Sequence, residues 1–164
     1  MITIRPLEDA DWPSAWRIMQ PVFRAGETYA LRPDITEADA RHLWVDVPAA
    51  TFAAADESGA IVGTYFLKPN HSGPGSHVAN CGYIVAEAAR GRGIASAMCE
   101  HSQREARSRG FRAMQFNFVV ATNEGAVRLW TAHGFEIVGR LPEAFHHPRF
   151  GFVDAFVMYK RLQS

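Results

Sequence analysis

Asn80, Asn117 and Asn123 are neutral groups that can each donate and accept hydrogen bonds. Asn80 and Asn117 fall in apolar, β-prone runs, where asparagine is disfavoured, and Asn123 opens a helical stretch. Tyr83, Ile84 and Val85 form a short strand-like run before the turn Arg90-Gly91-Arg92-Gly93-Ile94-Ala95. No bulky side chain stands at Gly91, Gly93 or Ala95, so a ligand can approach the main chain closely. A helix follows, closed near Arg109 by Gly110. Its first amides have no partner inside the helix, and the helix dipole makes that end positive. Arg90 and Arg92 add formal charge. Strand, turn and helix start together form a site for a pyrophosphate.

Two familiar phosphate motifs do not fit this turn. A P-loop ends in Gly-Lys-Ser/Thr, and here the turn ends in Gly-Ile-Ala. A dinucleotide fold needs Gly-x-Gly-x-x-Gly and an acidic residue about twenty positions on. Ser96 breaks the first part, and the strand near residues 114–120 holds no carboxylate.

The elements around the turn can be read in order. Residues 2–5 alternate as a short strand. Residues 8–24 read as a helix with Trp12, Ala15, Trp16, Met19 and Phe23 on one face. Thr36 starts a second helix, running to about Asp46. Strands are expected over 51–55 and 61–67, joined by the hairpin turn Asp56-Glu57-Ser58-Gly59, with loop over 68–76. Strand 77–86 feeds the glycine turn and its helix. A strand over 114–120, a helix over 123–133 and strands over 135–139 and 153–160 complete the chain. Residues 140–148 read as a mobile substrate-side loop, which includes His146 and His147. The order β-α-α-β-β-β-α-β-α-β-β favours an α/β sandwich with one mixed sheet.

Composition narrows the partners. Apolar residues make up 48% and charged residues 21%, as in a soluble globular protein. Seventeen basic and seventeen acidic residues cancel, which argues against a nucleic acid or membrane surface held by bulk charge. The N-terminus has no apolar signal core, and no run approaches transmembrane length, so the expected compartment is the cytoplasm. Cys81 and Cys99 show no metal-ligand spacing and read as free thiols; no metal is expected. Residues 1–164 are expected to form one domain.

Two motifs together carry a resemblance. Arg90, Gly93 and Ala95 fit Gln/Arg-x-x-Gly-x-Gly/Ala, and Asn123-x-x-Ala126-x-x-Leu129-Trp130-x-x-x-Gly134-Phe135 follows one strand later. The pair resembles the signatures of the Gcn5-related N-acetyltransferases, the GNAT family, over about residues 80–139. The resemblance implies a three-layer α/β sandwich whose central mixed sheet is splayed in the middle, with helices on both faces. It implies an acetyl-coenzyme A-dependent N-acetyltransferase whose acetyl-pantetheine arm lies between strands 80–86 and 114–120. Tyr83, Ile84, Val85, Arg90, Gly91, Arg92, Gly93, Ile94, Ala95, Asn123 and Trp130 are then the expected coenzyme contacts. A homodimer is a further implication, since family members are often dimers.

Acyl transfer to an amine needs a fixed donor for the developing oxyanion, and a strand amide near Tyr83 can supply it. The leaving thiolate needs a proton or a hydrogen bond. The family usually offers a tyrosine where this chain has Trp130, and an indole N–H cannot release a proton at working pH. Asn123 is the best substitute, with its carbonyl capping the helix and its NH2 facing the sulfur. Glu143, His146 or Asp154 is a candidate general base, and a water relay serves as well.

A narrower resemblance rests on Gly26-Glu27-Thr28-Tyr29, Asn117-Phe118, Gly139-Arg140-Leu141-Pro142-x-Ala144-Phe145 and Val153-Asp154-Ala155. These are similar to the azetidine-2-carboxylate (proline-analogue) acetyltransferases of yeast and their bacterial relatives. That group implies a small amino or imino acid as acceptor, bound by Asn80 and by main-chain amides at Asn117 and Phe118. Tyr29, Phe118 and Phe145 are aromatic groups able to close over a compact ring. Acceptors of a second kind are protein N-termini or lysines, and a non-catalytic acyl-coenzyme A-binding module is a third reading.

Overall fold

The computed structural model describes residues 1–162. Helix α1 (Trp12–Ala25) buries Trp12, Ala15, Met19 and Phe23 at helical spacing and is stopped by Gly26 at φ 64°. Helix α2 (Glu37–Arg41) is capped by the Thr36 hydroxyl, which accepts from the Asp39 amide at 3.1 Å. The helix expected to run to Asp46 widens instead into a π-helical turn, His42–Asp46, which buries Trp44.

Among the described residues, seven strands form one sheet in the order β1-β2-β3-β4-β5-β7-β6. They are β1 (Thr3–Pro6), β2 (Ala50–Ala55), β3 (Ile61–Pro69), β4 (Val78–Val85), β5 (Ala113–Val120), β6 (Glu136–His147) and β7 (Gly151–Arg161). Only β4 and β5 run parallel; every other neighbouring pair is antiparallel. Helix α3 (Ile94–Ser108) forms the crossover that joins the parallel pair, and α4 (Glu124–Ala132) follows β5.

Strand alternation divides the sheet's two faces. Thr64, Phe66 and Lys68 on β3 pair with Ile84, Gly82 and Asn80 on β4. That face meets α1 and the π turn, where the Trp44 indole donates to the Thr64 hydroxyl at 3.1 Å. Tyr65, Leu67 and Cys81 face the other way, into a cluster with Ile94, Met98 and Ala106 of α3 and Trp130 of α4. Helices therefore cover both faces. Each large side chain fully buried this way contributes roughly 1.5–3 kcal/mol.

Two features open the sheet's centre. The β4–β5 ladder consists of Val78–Ala113 and Ala79–Met114 alone, and beyond it the strands part. On the other edge of β5, the register with β7 shifts between Phe116 and Val119, leaving Asn117 and Phe118 in a bulge without register partners.

The expected loop over residues 140–148 is a strand as far as His147. β6 pairs with β7 all the way from Glu136–Tyr159 to His147–Gly151. Pro142 and Glu143 (φ 50°) sit in a register shift between Leu141 and Phe145, so loop chemistry is absorbed as a bulge. Asp154 pins that bulge: it accepts from the Glu143 amide at 2.9 Å and pairs with the Arg140 guanidinium. These contacts, the amide first, hold its carboxyl below the usual range. Asp154 is thereby committed to structure rather than free to act as a base.

Candidate active site

The parted strands open a cleft of about 1260 Å³. The residues expected from the sequence to contact coenzyme or acceptor line it, with the exceptions of Arg92 and Phe145. Arg92 is exposed beside the β2–β3 turn, where its charge acts on Asp56 and Glu57. Main-chain direction explains the cleft's character. The Val78 carbonyl and the Ala86 amide both bond toward β3, while the His77 carbonyl bonds toward the β5 side. Alternation along an unbroken strand therefore turns the amides of Tyr83 and Val85 toward the gap, where β5 offers no register partner. Unpaired main-chain groups of this kind are what an extended ligand can bond as an added strand would.

One end of the cleft is built by glycine geometry. Gly91 (φ 78°) and Gly93 (φ 76°) both adopt the left-handed region, and a Cβ at either would meet nothing within 4 Å. The turn thus leaves open space above its main chain, at the start of α3, where Ile94 and its neighbours present unpaired amides.

Asn123 caps α4. Its Oδ1 accepts from the Ala126 amide at 3.4 Å, while its NH2 makes no hydrogen bond among the described residues and borders the cleft. Trp130 is a buried wall, packed on Tyr83 and Phe116 with ring centroids 4.9 Å away in each case. The Tyr83 side chain faces α3: its hydroxyl lies 2.7 Å from the Ser102 Oγ, and burial pushes the phenol well above its ordinary pKa. Only its main chain serves the gap.

The opposite end of the cleft is aromatic. The Phe66 ring meets Trp44 edge-on at 4.8 Å and lies across Gly82, where a Cβ would come within 2.6 Å of the ring. Tyr29 donates its hydroxyl to the Tyr83 carbonyl at 2.8 Å, and burial raises its phenol strongly. The Asn80 NH2 donates to the Gln115 carbonyl at 3.0 Å, bridging the strands just where their ladder ends. Asn117 donates to the Asn70 Oδ1 at 2.6 Å and accepts from Gln115 at 2.9 Å. Its side chain is engaged, and its main chain lies in the bulge. Phe118 lines the cleft. Phe145, 6.2 Å from it, is buried behind and does not.

Some lining residues were not singled out from the sequence. Phe66, Lys68 and Gly82 are of this kind; Glu27 and His147, both noted in the sequence, border the cleft as well. Glu143, His146 and Asp154, the side chains weighed as bases, do not. His146 stacks on Phe152 at 4.6 Å, whereas the neighbouring His147 points to the opposite face. The His147 Nδ1 accepts from the amides of Arg149 (3.1 Å) and Phe150 (3.3 Å), so a neutral ring carries its hydrogen on Nε2 and is a donor. Alternation along β3 places Phe66 and Lys68 on one face, although the strand expected from the sequence ended at Leu67. Which strand they adjoin follows only from the register.

Comparison with known proteins gives a consistent result. The sequence profile described as the acetyltransferase (GNAT) family matches residues 12–135. The N-acetyltransferase aca1 of Schizosaccharomyces pombe is 32% identical over 111 residues, which span 67% of this chain and 53% of that protein. The chain thus spans about half the length of this curated relative. A Gcn5-related N-acetyltransferase structure from Kribbella flavida superposes with a TM-score of 0.93 at 44% identity, covering 98% of this chain and 97% of its own. A phosphinothricin acetyltransferase from Sinorhizobium meliloti, solved in complex with acetyl-coenzyme A, shares the fold at 21% identity with a TM-score of 0.87, covering 99% and 89%.

Proposed function

The chain belongs to the GNAT acetyltransferase family, and on that premise we propose that it transfers the acetyl group of acetyl-coenzyme A to the amine of a small amino or imino acid. One observation carries the reading: the β4–β5 split, with inward amides at Tyr83 and Val85, begins beside the open Gly91–Gly93 turn and ends at the free NH2 of Asn123. The residues present suit the coenzyme. Arg90 and the amides of the turn and of α3 would hold the pyrophosphate, and the Tyr83–Val85 main chain would run along the pantetheine arm. Acetyl-coenzyme A, when bound, supplies a thioester carbonyl activated toward an amine, so the reading needs no metal.

The chain's own groups have distinct tasks. The Tyr83 amide donates where negative charge develops on oxygen, and a donor fixed in the sheet needs no reorganisation as that charge appears. Asn123 donates its NH2 to the leaving sulfur while its carbonyl keeps the cap. Trp130 excludes water from one wall and gives up no proton. Because the acceptor nitrogen is protonated near neutral pH, it must lose a proton before it attacks. Water at the cleft mouth takes it, and the rate climbs with pH.

The acceptor assignment draws on the likeness to azetidine-2-carboxylate acetyltransferases and on the aromatic pocket of Phe66, Trp44, Tyr29 and Phe118. The fold relative named for phosphinothricin gives a small acceptor as well. Self-association along the β6 edge belongs to the reading too, supported by the exposed Ile137, Val138, Phe150 and Phe152. An amine panel read by coenzyme thiol release tests the assignment. Acetylation of azetidine-2-carboxylate or proline analogues is the expected result. Acetylation of peptide N-termini with none of these compounds turned over would replace it with a protein-acceptor role.

A further inference from the structure

We propose that Lys68 reads a carboxylate on the acceptor, a specificity role for a residue near the end of β3. The inference rests on the small amino-acid reading above. The β3–β4 register sets Lys68 opposite Asn80, so the two side chains stand together on the α1-facing side of the sheet and both line the cleft. The Lys68 Nζ lies over the Phe66 ring, 5.4 Å from its centroid. An aromatic face attracts an ammonium and fixes its position without satisfying its hydrogen-bond donors. Lys68 has no ion pair or hydrogen bond to protein among the described residues, although Arg17 and Glu27 also line this cleft. The chain's other lysine is engaged: the Lys160 Nζ donates to the Gln103 Oε1 and to the His133 carbonyl, 2.6 Å each.

Asn80 makes the need for this cation specific. One N–H of its NH2 is held by the Gln115 carbonyl, and its Oδ1 accepts from no protein group among the described residues. An acceptor oxygen repels a carboxylate and suits an N–H. The adjacent pair therefore offers Oδ1 to the acceptor's nitrogen and an ammonium to its carboxylate, two groups that an α-amino or α-imino acid carries on one carbon. The main-chain amides in the Asn117–Phe118 bulge add neutral donors from the far side of the split.

Lys68→Met keeps the apolar stem over Phe66 and removes the charge, and Lys68→Glu reverses it. Azetidine-2-carboxylate and its carboxamide are matched acceptors that differ in that charge. Each is measured by steady-state kinetics and by tryptophan fluorescence of the coenzyme A-loaded protein, with acetyl-coenzyme A affinity and circular dichroism as controls for folding. The expected result is a KM and a binding constant for the acid weakened roughly ten- to a hundredfold in Lys68→Met, with little change in kcat and no such loss for the carboxamide. Lys68→Glu should prefer the carboxamide. Equal losses for acid and amide, or no loss for either, overturn the role of Lys68 while leaving small-acceptor acetylation intact. A wild-type protein that acetylates no small amino or imino acid overturns both.

Discussion

Asn123 is asked to do two things with two atoms, and a single substitution separates them. Aspartate keeps an oxygen for the Ala126 amide and loses the NH2 at the cleft. Asn123→Asp should therefore retain the wild-type melting temperature yet lower kcat roughly ten- to a hundredfold, less than the loss of a donor at a well-formed oxyanion site. Asn123→Ala should lose both, with the cap costing about 1 kcal/mol. Wild-type turnover in Asn123→Asp would remove the asparagine from the chemistry. Gly82 poses a separate test in the pocket proposed for the acceptor. A methyl group there meets the Phe66 ring at 2.6 Å, so Gly82→Ala should cost roughly 1–3 kcal/mol in denaturant unfolding and raise the acceptor KM. At this scale the sequence was informative wherever residue type limits chemistry: the donor-only Trp130, the dual-purpose Asn123, the bare glycine turn. It was silent on Lys68, which reads as loop beside Pro69 and Asn70 and becomes a cleft residue only through its register with Asn80.

The strand–turn–helix element carries the coenzyme claim, and its glycines can be tested against one another. Gly59, in the β2–β3 turn, adopts φ 84° with open space at its Cβ, as Gly91 and Gly93 do at 78° and 76°. Alanine at any of the three should cost about 1–2 kcal/mol for its left-handed backbone. Only Gly91→Ala and Gly93→Ala should also weaken acetyl-coenzyme A in calorimetry, because only there does a ligand approach the main chain. Gly93→Val should weaken it more than Arg92→Ala, whose side chain lies outside the cleft. A uniform effect on affinity across all three alanines would mean that strain, not ligand approach, explains the losses. Elements with local signals were legible in this way, including α1, α3, α4 and the hairpin at Asp56–Gly59. The second half of β6 was not. Pro142 and Glu143 carry loop chemistry, and what makes residues 140–147 a strand is pairing with β7, a contact that local pattern does not encode.

Across the whole molecule, stability should form a plateau bounded by named groups. The Arg5 guanidinium, through its hydrogen bonds, holds the Asp11 carboxyl below its ordinary 3.8. A depressed carboxylate contributes stability above its unfolded pKa and loses it as pH falls through the lower folded value. Asp11→Asn should thus lower the melting temperature at neutral pH and converge on wild type once pH has fallen through the lowered folded value. On the alkaline side, burial pushes the Cys81 thiol up to about 12 and Cys99 to about 11, from 9.0. Their contribution is whole below the unfolded value and fades as pH rises toward the folded ones. Native protein at about pH 8 should accordingly resist alkylation at both cysteines, and unfolded protein should not. The two-motif resemblance implied the splayed three-layer sheet, and the structure has it. The half of the cleft proposed for the acceptor was harder to foresee, because β3, β4 and the segment after α1 meet there from distant parts of the chain.

Amide hydrogen exchange on the isotopically labelled protein, with and without acetyl-coenzyme A, tests the central claim most directly. The Tyr83 and Val85 amides face a gap without ladder partners, so they should exchange readily in the free protein. Binding at the split should protect them, together with the amides from Gly91 to Ala95. It should leave the Gly59 turn and the β6–β7 hairpin unchanged. Coenzyme that binds without protecting Tyr83 and Val85, or that protects instead the surface around Arg104, Arg107 and Lys160, would contradict the placement of acetyl transfer between β4 and β5.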